Sequence, residues 1–169
     1  RLWVFERSVP VLSLRGTGSP VIVRGAVIAG FDNDKLAVLD IARGQPAWET
    51  SVAVPHGRSE LGRMVDIDSA PQIWGDTVYT VTYQGRVAAI EGGSGRILWA
   101  RDMSSAVGLG LDFRNVYVTD DQSNVWSLER ENGGSVWKQD KLLRRALTAP
   151  VALGDYVVVA DYEGYLHVL

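Results

Sequence analysis

The stretch that decides the fold is Val116–Asp140, VYVTDDQSNVWSLERENGGSVWKQD. It reads as strand, polar turn, strand, glycine turn, strand, with Val, Tyr and Trp on the flanks and Asp, Gln, Ser and Asn between them. The same register recurs along the chain. VIAGFDNDKLAVLD starts at Val27, VYTVTYQGRVAAIE at Val78 and VVVADYEGYLHVL at Val157. A glycine stands 17 residues after the first three starts (Gly44, Gly95, Gly133) and a tryptophan 21 residues after them (Trp48, Trp99, Trp137). Trp3, in LWVFERS, fits the last strand of a preceding copy.

A small residue and a proline precede most copies: Ser19-Pro20, Ala70-Pro71 and Ala149-Pro150, with Ala106-Val107 in the third. Short apolar runs follow, such as VIV at 21–23 and VAL at 151–153. Each unit therefore holds four short strands, A to D, and the copies are 51, 38 and 41 residues apart. An all-β repeat of that length is a β-propeller blade, a sheet that buries its faces by stacking on its neighbours. The expected organisation is a single partial propeller. Residues 1–9 form the last strand of a preceding blade, 19–53, 69–103 and 105–141 are blades, and 147–169 are the first three strands of another. The glycine allows the turn before the fourth strand, and the tryptophan offers an apolar face to the next blade. Leu39, Ile90 and Leu128, at a common offset, are expected in the core.

Composition narrows the function. The 169 residues carry 17 Lys and Arg against 20 Asp and Glu, a formal charge of −3. No basic patch for nucleic acid is visible, and no apolar run reaches the roughly 20 residues of a membrane-spanning helix. The length suits one substantial core rather than two domains. There is no cysteine, which excludes thiolate metal sites and fits either a cytosolic or a periplasmic protein. The sequence opens at Arg1 without an initiator Met and stops in mid-strand, so both ends are expected to be cuts through a longer protein.

Catalytic and metal signals are weak. His56 and His167 lie in unrelated repeats. Asp32-Asn33-Asp34 lacks the glycine and distant glutamate of a calcium loop. Gly93-Ser94-Gly95-Arg96 lacks the Lys-Ser/Thr of a phosphate loop. No nucleophile-elbow context surrounds any serine. No metal or cofactor is expected.

The connections between blades carry more information. Those from Trp3 to Ser19 and from Trp48 to Ala70 are the longest, and they are consecutive in the wheel. Long loops in compact folds are often functional. The first carries Leu12, Leu14 and Arg15, whose alternation around Ser13 puts both leucines on one side of an extended segment. The second carries Asp66 and Asp68. A guanidinium beside exposed leucines suits a partner carboxylate. The aspartates either meet a partner or organise the loop.

The Gly-x-x-x-Trp pattern after a Leu/Ile-Asp/Glu strand end resembles the pyrroloquinoline-quinone-like propeller repeat. Within that superfamily VPVLSLRGTGSP at 9–20, RMVDIDSAP at 63–71 and ALTAPVALGDYVVVADYEGYLHVL at 146–169 resemble the BamB family, propeller lipoproteins of the bacterial outer-membrane β-barrel assembly (BAM) machinery. That resemblance covers nearly the whole chain and implies about half of an eight-bladed wheel. It also implies a non-catalytic scaffold without cofactor, lipid-anchored at the periplasmic face of the outer membrane. BamA would be bound through its POTRA domains and other BAM subunits indirectly. It assigns partner binding to Leu12, Leu14 and Arg15 and to Asp66 and Asp68. Quinoprotein dehydrogenases share the blade, but they use adjacent cysteines, and no cysteine pair exists here. The alternatives are a quinoprotein dehydrogenase-type propeller enzyme and a propeller sensor or binding scaffold of other function. An open arc exposes an apolar sheet face, so self-association is expected unless more chain covers it.

Overall fold

A computed structural model describes residues 2–6, 18–31, 34–53 and 65–169. The chain is all β. The first sheet holds β1 (Val21–Val23), β2 (Ala26–Gly30), β3 (Lys35–Asp40) and β4 (Pro46–Ser51). The second holds β5 (Gln72–Trp74), β6 (Thr77–Val81), β7 (Arg86–Glu91) and β8 (Ile97–Asp102). The third holds β9 (Leu109–Leu111), β10 (Asn115–Thr119), β11 (Val125–Glu129) and β12 (Ser135–Gln139). The last holds β13 (Val151–Leu153), β14 (Tyr156–Ala160) and β15 (Leu166–Val168). Each is an antiparallel meander in chain order, the expected tryptophan-docked blade architecture.

Alternation along the strands explains the stacking. In a strand, neighbouring side chains point to opposite faces. Val78 on β6 and Ile90 on β7 therefore face the first sheet, while Tyr79 and Ala89 face the third. Where one substantial core was expected, the described residues form three, one at each junction between sheets. Ile28, Leu36 and Val38 meet Val78, Ala88 and Ile90. Tyr79, Val81 and Val87 meet Val116, Val118 and Leu128. Tyr117 and Val125 meet Val157 and Val159. Leu39, Ile90 and Leu128 are all buried.

The turn before each fourth strand is built three times to one plan. The ladder is bulged at Val38/Leu39, Ala89/Ile90 and Ser127/Leu128. The N–H groups of Gly44, Gly95 and Gly133 then donate to the carbonyls of Asp40, Glu91 and Glu129, at 2.8 Å in each turn. All three glycines have positive φ (69°, 75° and 74°), a region that costs other residues strain.

Residues 2–6 pair with no strand among the described residues; they lie on the first sheet through Trp3 and through Phe5, whose ring is 5.9 Å from that of Phe31. β9 starts at Leu109, so Val107-Gly108, one residue on from Ala106-Val107, directly precedes it. The last sheet leaves Val151, Leu153, Leu166 and Val168 exposed on the face away from the third.

Candidate functional site

A four-stranded meander has two ends. A–B and C–D turns lie at one, B–C turns and D–A connections at the other. The D–A end is stitched by backbone bonds. The N–H groups of Tyr83, Asp121 and Tyr162, each just past a B strand, donate to the carbonyls of Asp66 (2.9 Å), Ser104 (3.1 Å) and Arg145 (3.1 Å). Each connection thus lies against the B–C turn of the blade it enters. The connection that carries Asp66 also grips the blade it leaves, since Asp34 N–H donates to Val65 O at 2.7 Å.

The described ends of the two long connections come together. Gly18 N–H, at the end of the first, donates to Ile67 O in the second at 3.1 Å. A Cβ on Gly18 would fall 2.7 Å from Ser69 O, so only glycine permits the approach. Leu12, Leu14 and Arg15 lie outside the described residues, as does His56. Asp66 is buried, with 3% of its surface exposed, and forms an isolated antiparallel bridge with Tyr83. Asp68 is half-buried.

Sequence reasoning missed Ile67, the residue between those aspartates. It is fully buried in the junction of the first two sheets and fills the space that a side chain at Gly30 would occupy. The alternation Val65-x-Ile67 was the available signal.

The remaining predicted residues form the blade junctions. The indole N–H groups of Trp3, Trp48 and Trp99 donate to Ile41 O (2.8 Å), Gly92 O (2.7 Å) and Arg130 O (2.9 Å). Each acceptor stands three residues before Gly44, Gly95 or Gly133, and the indole rings lie against those glycines. Each tryptophan therefore sits on the glycine of the next blade. Trp137 packs in the third junction, with its ring 5.9 Å from that of Tyr117.

One charged cluster stands beside the D–A face. The enclosed Asp161 carboxylate accepts bonds from Arg145 Nη1 (2.7 Å), from the N–H groups of Glu163 and Tyr165 (3.0 Å each), and meets His167 Nε2 at 2.9 Å. Burial alone would raise this carboxyl, but the surrounding donors outweigh it and hold it well below the ordinary carboxylate range. The donors close the last B–C turn around it, and His167 is thereby engaged in structure. Among the described residues no group of three or more His, Asp or Glu is placed to hold a metal ion.

A model of the family described as outer membrane protein assembly factor BamB matches residues 1–139. The chain belongs to the BamB family. It is 48% identical over 164 residues to the outer membrane protein assembly factor BamB of Pseudomonas aeruginosa strain PAO1, covering 97% of this chain and 43% of that protein. The crystal structure of BamB from Moraxella catarrhalis superposes with a TM-score of 0.92 at 28% identity, over 99% of this chain and 51% of that one. The chain thus spans about half or less of the BamB chains it matches. A quinohemoprotein alcohol dehydrogenase from Pseudomonas putida HK5 superposes at TM-score 0.67 and 14% identity, over 89% of this chain and 32% of that one. That likeness is one of fold alone.

Proposed function

We propose that this chain is the partner-binding part of a non-catalytic scaffold in outer-membrane protein assembly. In this reading it binds the POTRA domains of BamA through its D–A end, and meets other subunits of the machinery only indirectly. Leu12, Leu14 and Arg15 grip the partner, the leucines by apolar burial and Arg15 by a fork onto a carboxylate. Asp66 and Asp68 hold the neighbouring connection in shape, a role in keeping with the burial of Asp66 and the anchoring of Ile67. The full protein would be lipid-anchored at the periplasmic face of the outer membrane. No cofactor takes part.

The observation that carries this reading is the seam between the two long connections, Gly18 N–H on Ile67 O. It sets the end of the connection that carries Arg15 against the segment that bears Asp66 and Asp68, which supports a shared role for the two connections. The relatives' shared name supports the process.

Arg15→Glu in the full polypeptide, assayed by retention on immobilised BamA POTRA domains, tests it. The expected result is loss of retention with an unchanged unfolding midpoint. Undiminished retention removes Arg15 from the site.

A further inference from the structure

The connection that enters the last sheet, residues 140–150, holds its backbone in an uncommon shape. Among the described residues, six non-glycines have positive φ. Arg24, Asp34, Gln84 and Ser123 stand in hairpin turns, where such angles are routine. Arg144 (61°) and Ala146 (45°) stand in no hairpin. Left-handed backbone strains a residue with a side chain, and it persists only where the surroundings hold it.

The surroundings do hold it. Leu142, before the pair, packs in the third junction, and Leu147, after it, is buried there. Arg144 N–H donates to Gln122 O at 3.2 Å. Arg145 is fixed three ways: its carbonyl accepts from Tyr162 N–H (3.1 Å), and its Nη1 donates to Asp161 (2.7 Å) and Glu163 (3.0 Å). Between these anchors the chain turns Leu143 outward, 52% exposed, with Arg144 exposed beside it. Tyr162, 68% exposed, adjoins them through its bond to Arg145. A single exposed leucine needs no explanation. A leucine kept in water by strained backbone, next to a leucine that the same loop packs inside, does.

The place of this loop is also informative. Arg145 O meets Tyr162 N–H as Asp66 O meets Tyr83 N–H, each pair 17 residues apart. The loop therefore sits on its blade as the connection bearing Asp66 and Asp68 sits on its own. Between the two lies a shorter connection, since Ala106 stands 7 residues after Trp99 whereas Ala149 stands 12 after Trp137. The starts of the three sheets touch: a Cβ on Gly108 would fall 3.0 Å from Ser69 Cβ and 3.8 Å from Ala149 Cβ. Charges around Leu143 are mixed, with Lys141 and Arg144 exposed against Asp121 and Asp140. Selection of an occupant therefore falls to apolar contact.

We propose that Leu143, with Tyr162 beside it, is a further apolar anchor for the protein partner of the D–A end. It buries against an apolar patch of a POTRA domain that crosses the short connection, two sheets further round from Asp66. This rests on the reading of the D–A end given above and adds a contact to it.

The test measures the affinity of the full polypeptide for immobilised BamA POTRA domains. Leu143→Ser is expected to weaken binding about tenfold, the scale of losing a contact of ~1.4 kcal/mol, with an unchanged unfolding midpoint because the side chain is exposed. Phe113→Ser is the control: that exposed ring meets Trp74 edge-on in an A–B turn, at the opposite end of the strands, and its loss should leave the affinity unchanged. Weakening by Leu143→Ser but not by Arg15→Glu keeps this contact and removes the Arg15 one. Loss with Arg15→Glu but parental affinity of Leu143→Ser overturns this contact and leaves the reading of the D–A end standing. No binding of the parent overturns both. If the midpoint of Leu143→Ser falls, a photoreactive benzoylphenylalanine placed at position 143 decides: an adduct with the POTRA domains supports the contact, and none overturns it.

Discussion

The Trp48 indole occupies the place where a side chain at Gly95 would begin: a Cβ there would fall 2.6 Å from the ring. The same indole donates its N–H to Gly92 O, within the same turn. One residue of the first sheet thus reads two features of the second, an absent side chain and a carbonyl.

Gly95→Ala is expected to lower stability by about 2–5 kcal/mol, combining left-handed strain of roughly 1–2 kcal/mol with overpacking of roughly 1–3. Gly75 is the control. It also has positive φ (61°), but nothing lies within 4 Å of its would-be Cβ. Gly75→Ala should cost only the strain of about 1–2 kcal/mol. Urea unfolding of both variants checks the difference.

Removing the indole should make Gly95→Ala cheaper. In a double-mutant cycle with Trp48→Ala, the pair should cost less than the sum of the singles by roughly 1–3 kcal/mol, as for residues in direct contact. Additive costs would mean that the indole and the glycine do not interact.

Ile67→Ala is expected to cost about 2–5 kcal/mol, as for a fully buried aliphatic residue. If Ile67 anchors the second long connection, the variant should also lose retention on POTRA domains at temperatures where it remains folded. Calorimetry and pull-down on one preparation separate the two effects.

Asp161 sets a pH dependence. Its carboxyl is held below the ordinary range in the folded protein, while the unfolded chain takes up its proton near about 4. Its contribution is therefore complete above that pH and fades as the pH falls toward the folded value. Asp161→Asn should reduce stability at neutral pH and flatten the fall in acid. Urea midpoints measured at neutral pH and below about 4 test this.

The blades were legible because each docking residue repeats at a fixed offset: Trp48 and Trp99 mark the strands, Gly95 and Gly133 the turns. The glycines' second task was not legible. Each reads as a turn former by itself, and only the packing of Trp48 on Gly95 shows that the missing side chain is also a seat. Asp-Ile-Asp drew attention to its charges, because composition does not say which side chain of a loop points inward. The fold turns Ile67 into the core and buries Asp66 with it. Trp74 lies off the repeat register and carried no expectation at all.

The seating of each indole on the sheet ahead makes the molecule a nearest-neighbour array. Damage at one joint should therefore stay there. In hydrogen-exchange measurements, Gly133→Ala should speed amide exchange in β8 and β12, on either side of its seat, while β1–β3 keep their protection. Substitutions can accumulate in such an assembly one seam at a time, and a lineage can reshape a single blade without renegotiating the rest.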